Sequence, residues 1–70
     1  MKMNWTHKVV KRQRGTNGEW FSYPAAATFC AESDARVYAA RFADDQRGVG
    51  GTRIVVQTRG RRIVAVYPVR

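Results

Sequence analysis

A chain of 70 residues has room for one small core, because a domain this short buries only about 60 to 65% of the surface its unfolded chain exposes. Its 44% hydrophobic residues separate it from a disordered basic tail, its lone Cys30 excludes an internal disulfide or a cysteine-rich zinc site, and no apolar run approaches the roughly 20 residues of a membrane span. The net charge of +8 is unevenly spread: residues 31–47 hold Glu32, Asp34, Asp44 and Asp45 against Arg36, Arg41 and Arg47, near neutrality, while Lys8, Lys11, Arg12, Arg14, Arg53, Arg59, Arg61, Arg62 and the two termini carry the excess. Such a field attracts polyanions, either nucleic acid or an acidic protein.

Residues 5–14 are rich in β-branched and long side chains and run into Gly15-Thr16-Asn17-Gly18. Asn-Gly is a strong hairpin signal, so a strand, a turn and a returning strand over 19–23 are expected. Pairing across Asn17-Gly18 sets Val10, Arg12, Arg14, Phe21 and Tyr23 on one face and Trp5, His7, Val9 and Trp20 on the other. Both faces hold aromatics, so the pattern leaves open which one meets the core.

Pro24 stops the return strand, and 25–31 reads as an extended connection. Ser33 is a good N-cap with Asp34 at the positive end of the helix dipole, so a helix is expected over 35–47, closed by Gly48. Ala35, Tyr38, Ala39 and Phe42 form its apolar stripe, with Phe42 expected at the centre of the core. On its polar side Arg41 is spaced to pair with Asp44 and Asp45.

After the glycine-rich connection at 48–51, residues 53–59 and 62–69 flank Gly60-Arg61 as a second hairpin. A two-residue type II′ turn there pairs Thr58 with Ile63, Val56 with Ala65 and Ile54 with Tyr67 on the face meeting the helix. The opposite face then presents Val55, Val64 and Val66 rimmed by Arg53, Arg59 and Arg62. The expected architecture is α+β: an antiparallel sheet of two hairpins packed on one helix, in β-β-α-β-β order, forming a single domain over 1–70.

No catalytic constellation is legible. His7 is the only histidine and neither Cys30 nor a serine stands in a nucleophile setting, so no enzyme, cofactor or catalytic residue is expected. Asp44 and Asp45 point about 100° apart on a helix, which argues against a metal site. Cys30 reads as a small buried hydrophobe. The arginine turn Arg59-Gly60-Arg61-Arg62 is the stronger signal, since Arg holds phosphates and carboxylates through its planar fork. Trp5, Trp20 or Tyr23 could stack on bases if they face outward; the simpler reading places both tryptophans in the core. The candidate partner-binding residues are therefore Arg53, Arg59, Arg61, Arg62, Val55, Val64, Lys8, Lys11, Arg12 and Arg14.

From Thr28 to Tyr67 the order of features, Ala31-Glu32-Ser33-Asp34-Ala35-Arg36, then Gly51-Thr52-Arg53-Ile54-Val55-Val56, then Ile63-Val64-Ala65-Val66-Tyr67, resembles the small phage anti-CRISPR proteins that inhibit type I-F systems with a sheet backed by one helix. The glycine loop is longer and the arginine turn denser than in that pattern, and no binding residue is carried over. The resemblance implies a phage or mobile-element inhibitor that docks on an RNA-guided nucleoprotein complex and blocks its access to target DNA. A direct DNA- or RNA-binding accessory protein is the alternative from the residues themselves. The expected setting is the cytoplasm, that of the host cell if the protein is phage-encoded, with no membrane partner and with a second copy of the chain as a further candidate partner.

Overall fold

The computed structural model describes residues 4–69; Lys2 and Arg70, the terminal charges counted above, lie outside the described residues. Five strands and one helix follow one another as β1 (His7–Arg14), β2 (Trp20–Ser22), β3 (Ala27–Phe29), α1 (Glu32–Asp45), β4 (Thr52–Thr58) and β5 (Ile63–Pro68). All pairings are antiparallel, in the order β2-β1-β4-β5, with β3 also on β1. This is the expected α+β sheet backed by one helix. It differs in that the extended connection after Pro24 joins the sheet, so β2 and β3 form one interrupted edge strand along β1. The interruption is a bulge: Arg12 pairs with Ser22 and Val9 with Ala27, so three steps along β1 face five along the edge, and the extra residues loop out around Pro24.

The core lies between α1 and one face of the sheet. Val9, Ile54 and Val56 meet Ala35 and Ala39, all fully buried. Phe29, Phe42, Ala65, Tyr67 and Val69 pack around them. Two helix alanines at the centre let the helix axis approach the sheet closely, and the large aromatics close the sides: Tyr38 is partly exposed, its ring 5.3 Å from Phe29 and 6.0 Å from Phe42. Phe42 is therefore a flank of the core rather than its centre.

Both hairpins depart from the expected two-residue turns in the same way. In the first, Gly15 N–H donates to Glu19 O and Gly18 N–H to Gly15 O, with Gly18 at φ 85°. In the second, Thr58 N–H donates to Arg62 O and Arg61 N–H to Thr58 O, with Arg61 at φ 69°. Each is a three-residue loop whose last residue is left-handed. In the first hairpin the extra residue slips the register by one, so Arg14 pairs with Trp20 and Gln13 with Phe21. Trp20 thereby joins Arg12 and Arg14, and Phe21 moves to the face of Val9. In the second, the strands keep the expected pairs of Val56 with Ala65, Val55 with Val66 and Ile54 with Tyr67, but the register shifts at Val56/Gln57, where Gln57 pairs with Ile63. Val64 is the residue taken up by this shift. It packs against the core, while Ile63, expected there, is 43% exposed.

Helix α1 begins before Ser33, at an Ala31 N-cap with no side-chain capping bond. Glu32 in the first turn instead accepts from Arg36 Nε at 2.8 Å and lies 3.6 Å from His7 Nε2, which ties the helix start to β1. Tertiary contacts of this kind outweigh a local cap signal. At the other end, Lys11 Nζ donates to Gln46 Oε1 at 2.8 Å, a cation beside the negative end of the helix dipole. Asp44 pairs with Arg47 at 3.3 Å instead of the expected Arg41. Cys30 is exposed rather than buried, because it sits where the chain leaves β3 to enter α1.

Candidate nucleic-acid interface

Alternation along the strands assigns every sheet residue to one of two faces. The helix covers the face of Val9, Ile54 and Val56. Over the other face lies no further element among the described residues, and the register arranges its side chains in rows. Trp20 stands opposite Arg14; Ser22, Arg12, Arg53 and Pro68 form the next row; Val10, Val55 and Val66 the next; Lys8 and Gln57 the last. Val10 and Val55 are 3% and 1% exposed although no layer covers them. Long neighbouring side chains account for this, since Arg and Lys stems lie along apolar surface while their heads stay in water.

Lys8, Arg12, Arg14, Arg53 and Arg61 have no ion-pair partner among the described residues. Among the described residues the ion pairs are His7–Glu32, Arg36–Glu32 and Arg47–Asp44, all involving the helix side, and none engages Lys8, Arg12, Arg14, Arg53 or Arg61. Arg36 holds the Glu32 carboxyl below its usual range by hydrogen bonding, an effect confined to that side. The uneven charge of the sequence is thus a polarity of the molecule: four acids lie on the helix, and Lys8, Arg12, Arg14 and Arg53 lie on the bare sheet. Arg12 and Arg53 are direct cross-strand partners, and Arg12 Nε is buried with no hydrogen-bond partner. Trp20 lies within this cluster, with the Arg53 guanidinium carbon 4.3 Å and that of Arg14 5.9 Å from its ring centroid. At the other end of the sheet Arg59 lies 5.3 Å from the Trp5 ring. Neither tryptophan belongs to the buried core cluster.

Of the residues singled out from the sequence, Arg12, Arg14, Arg53, Lys8 and Val55 come together on this face. Arg61 stands at its margin, in an open groove of about 410 Å³ that Lys8, Val10, Ser22, Pro24 and Gln57 also line. Arg62 is exposed at the base of the turn. Lys11 and Val64 do not belong to the surface. Lys11 alternates onto the helix face, where it bonds Gln46 and lies 5.1 Å from the Tyr23 ring, and Val64 is turned to the core by the register shift. Gln57 was not singled out, although its pairing with Lys8 followed from the β1–β4 register once β1 was known to lie beside β4.

No group of three His, Cys, Asp or Glu among the described residues could hold a metal ion, and no helix among them is long and apolar enough to cross a membrane. Comparison with protein-family models, with curated proteins and with solved structures finds no match to this chain.

Proposed function

We propose that this chain is a small non-enzymatic binding module that holds nucleic-acid phosphates on the bare face of its sheet. The observation that carries this reading is the set Lys8, Arg12, Arg14, Arg53 and Arg61, five cations at or beside one face with no ion-pair partner among the described residues. Like charges placed directly opposite across a ladder destabilise a sheet, and a phosphate between Arg12 and Arg53 relieves that repulsion with charge-assisted hydrogen bonds. Trp20 adds a flat surface beside the same arginines. An inhibitor of an RNA-guided complex, as the anti-CRISPR resemblance implies, is the form this module takes when a protein assembly presents the nucleic acid.

The test is titration of a fluorescently labelled oligonucleotide by anisotropy over a range of salt concentrations. Binding that weakens linearly in log salt with a slope of about −3 to −4 fits four or five phosphate contacts. The variant Arg12→Glu with Arg53→Glu should lose that binding while keeping its circular-dichroism spectrum. Salt-independent binding, or undiminished binding by the folded variant, contradicts the proposal.

A further inference from the structure

We infer that the groove over Val10 seats one unpaired nucleotide, so that the ligand of the bare face is a single strand rather than a duplex; this rests on the phosphate-binding reading above and narrows it. The groove exists because the edge strand is interrupted. Between the β2 and β3 pairings the extra residues around Pro24 loop away from β1, and Ser22 and Pro24 rim the space this leaves, with Val10 among its lining and Lys8, Gln57 and Arg61 completing it. Bulges recur beside functional sites for this reason, since they re-aim the chain at a fixed place in a sheet.

The lining matches the parts of a nucleotide. Pro24 and Ala25, both exposed, offer apolar surface to the face of a base above the buried Val10, the Gln57 amide offers both a donor and an acceptor to its edge, and Lys8 and Arg61 offer cations to its phosphate. At about 410 Å³ the volume falls within the roughly 300 to 1,000 Å³ of small-ligand sites. A base inside a duplex is stacked and paired and does not reach into a concave site, whereas an unpaired base does. The Trp20 and Arg53 pair lies along the same face, where a neighbouring base of the same strand can stack.

Backbone strain singles out Arg61 independently. Its φ of 69° is a left-handed conformation that disfavours a side chain, and Gly18 fills the equivalent position of the first hairpin. Glycine stands one residue away, at Gly60, so the strained position is occupied by an arginine that lines the groove. Strain of this kind persists at ligand-holding sites.

Anisotropy titrations with labelled oligothymidine, oligouridine and a hairpin duplex of similar length, at matched salt, test the inference. Single strands should bind at least about tenfold tighter than the duplex. Gln57→Ala should weaken single-strand binding about fivefold with the duplex affinity unchanged, as expected for loss of one hydrogen-bonding group. Arg61→Gly should weaken single-strand binding while the protein melts at a higher temperature, so a folding defect cannot explain the loss. Equal affinity for single strands and duplex, or single-strand binding unaffected by both variants, overturns the inference and leaves the phosphate-binding reading intact. Binding of none of the three probes overturns both.

Discussion

Arg12 and Arg53 stand directly opposite each other across the β1–β4 ladder, on the face that no element among the described residues covers, with the Arg53 guanidinium over Trp20 and Arg12 Nε buried without a hydrogen-bond partner. Two like charges at directly opposed positions lower the stability of the free protein. Arg12→Glu converts the repulsion into an attractive cross-strand pair. It should stabilise the fold by about 0.2 to 1 kcal/mol at low salt, a rise in melting temperature of a few degrees for a domain of this size, and should weaken oligonucleotide binding. The gain should fade in about 1 M salt, where exposed charges are screened. A lower melting temperature at low salt would show that the Arg12 stem matters more as cover for Val10 and Val55 than its charge does.

Glu32 predicts the acid limb of the stability profile. Its carboxyl is held below the ordinary value of 4.5 by hydrogen bonding to Arg36, with smaller contributions from the charges of Arg36 and His7. A carboxyl depressed in the folded state stabilises the fold above its unfolded value, and that contribution is lost as the pH falls through the lowered folded value. Urea titrations between about pH 6 and pH 2 should therefore show a steeper loss for the native protein than for Glu32→Gln. Because the group is solvent-exposed, the difference should shrink with added salt. Parallel curves for the two proteins would show that the link from Glu32 to Arg36 and His7 contributes nothing to the helix start.

The core should be least tolerant at its smallest residues. Ala39 is fully buried against the sheet beside Ile54 and Val56, so Ala39→Leu forces the helix away and should cost about 1 to 3 kcal/mol or more. Phe42 flanks the core and is partly buried, so Phe42→Ala should cost less than the about 3 to 5 kcal/mol of a fully enclosed phenylalanine. Chemical denaturation of the two variants ranks them. A larger loss for Phe42→Ala would restore the phenylalanine to the centre of the core.

Much of this fold was legible because each hydrophobic period was clear. Ala35, Tyr38, Ala39 and Phe42 marked one helix face, and Ile54, Val56, Ala65 and Tyr67 marked the sheet face that meets it. What the pattern could not resolve was a shift of one residue. Asn17-Gly18 and Gly60-Arg61 both suit two-residue turns, yet both hairpins close through three, and the extra residue exchanges Trp20 for Phe21 in one and Val64 for Ile63 in the other. Alternation has a period of two, so one added residue inverts the assignments that follow it, throughout β2 in the first hairpin but only as far as Val64 in the second, where the shift at Val56/Gln57 restores the expected pairs. The basic character of the site was plain in the charge distribution. Its membership was not, because it depends on strand neighbours far apart in sequence, which place Arg12 beside Arg53 and Lys8 beside Gln57.

The register shift in β5 gives neighbouring valines opposite roles, and one pair of substitutions tests it. Val64 packs against the core cluster and Val66 is 48% exposed in the row of Val10 and Val55. Val64→Glu drives a carboxylate into the space between sheet and helix, where the adjacent Arg36 is already engaged by Glu32 and the Val64 carbonyl. It should cost about 2 kcal/mol or more, a large share of the stability of a domain this small. Val66→Glu leaves the carboxylate in water and should change stability by no more than about 0.5 kcal/mol. It does, however, add a negative charge to the bare face near Arg53, so oligonucleotide binding should weaken. Had the second hairpin closed through a two-residue turn, Val64 and Val66 would share the outer face and both substitutions would be tolerated. An unfolded Val64→Glu beside a folded, weakly binding Val66→Glu is the outcome that the bulged register requires.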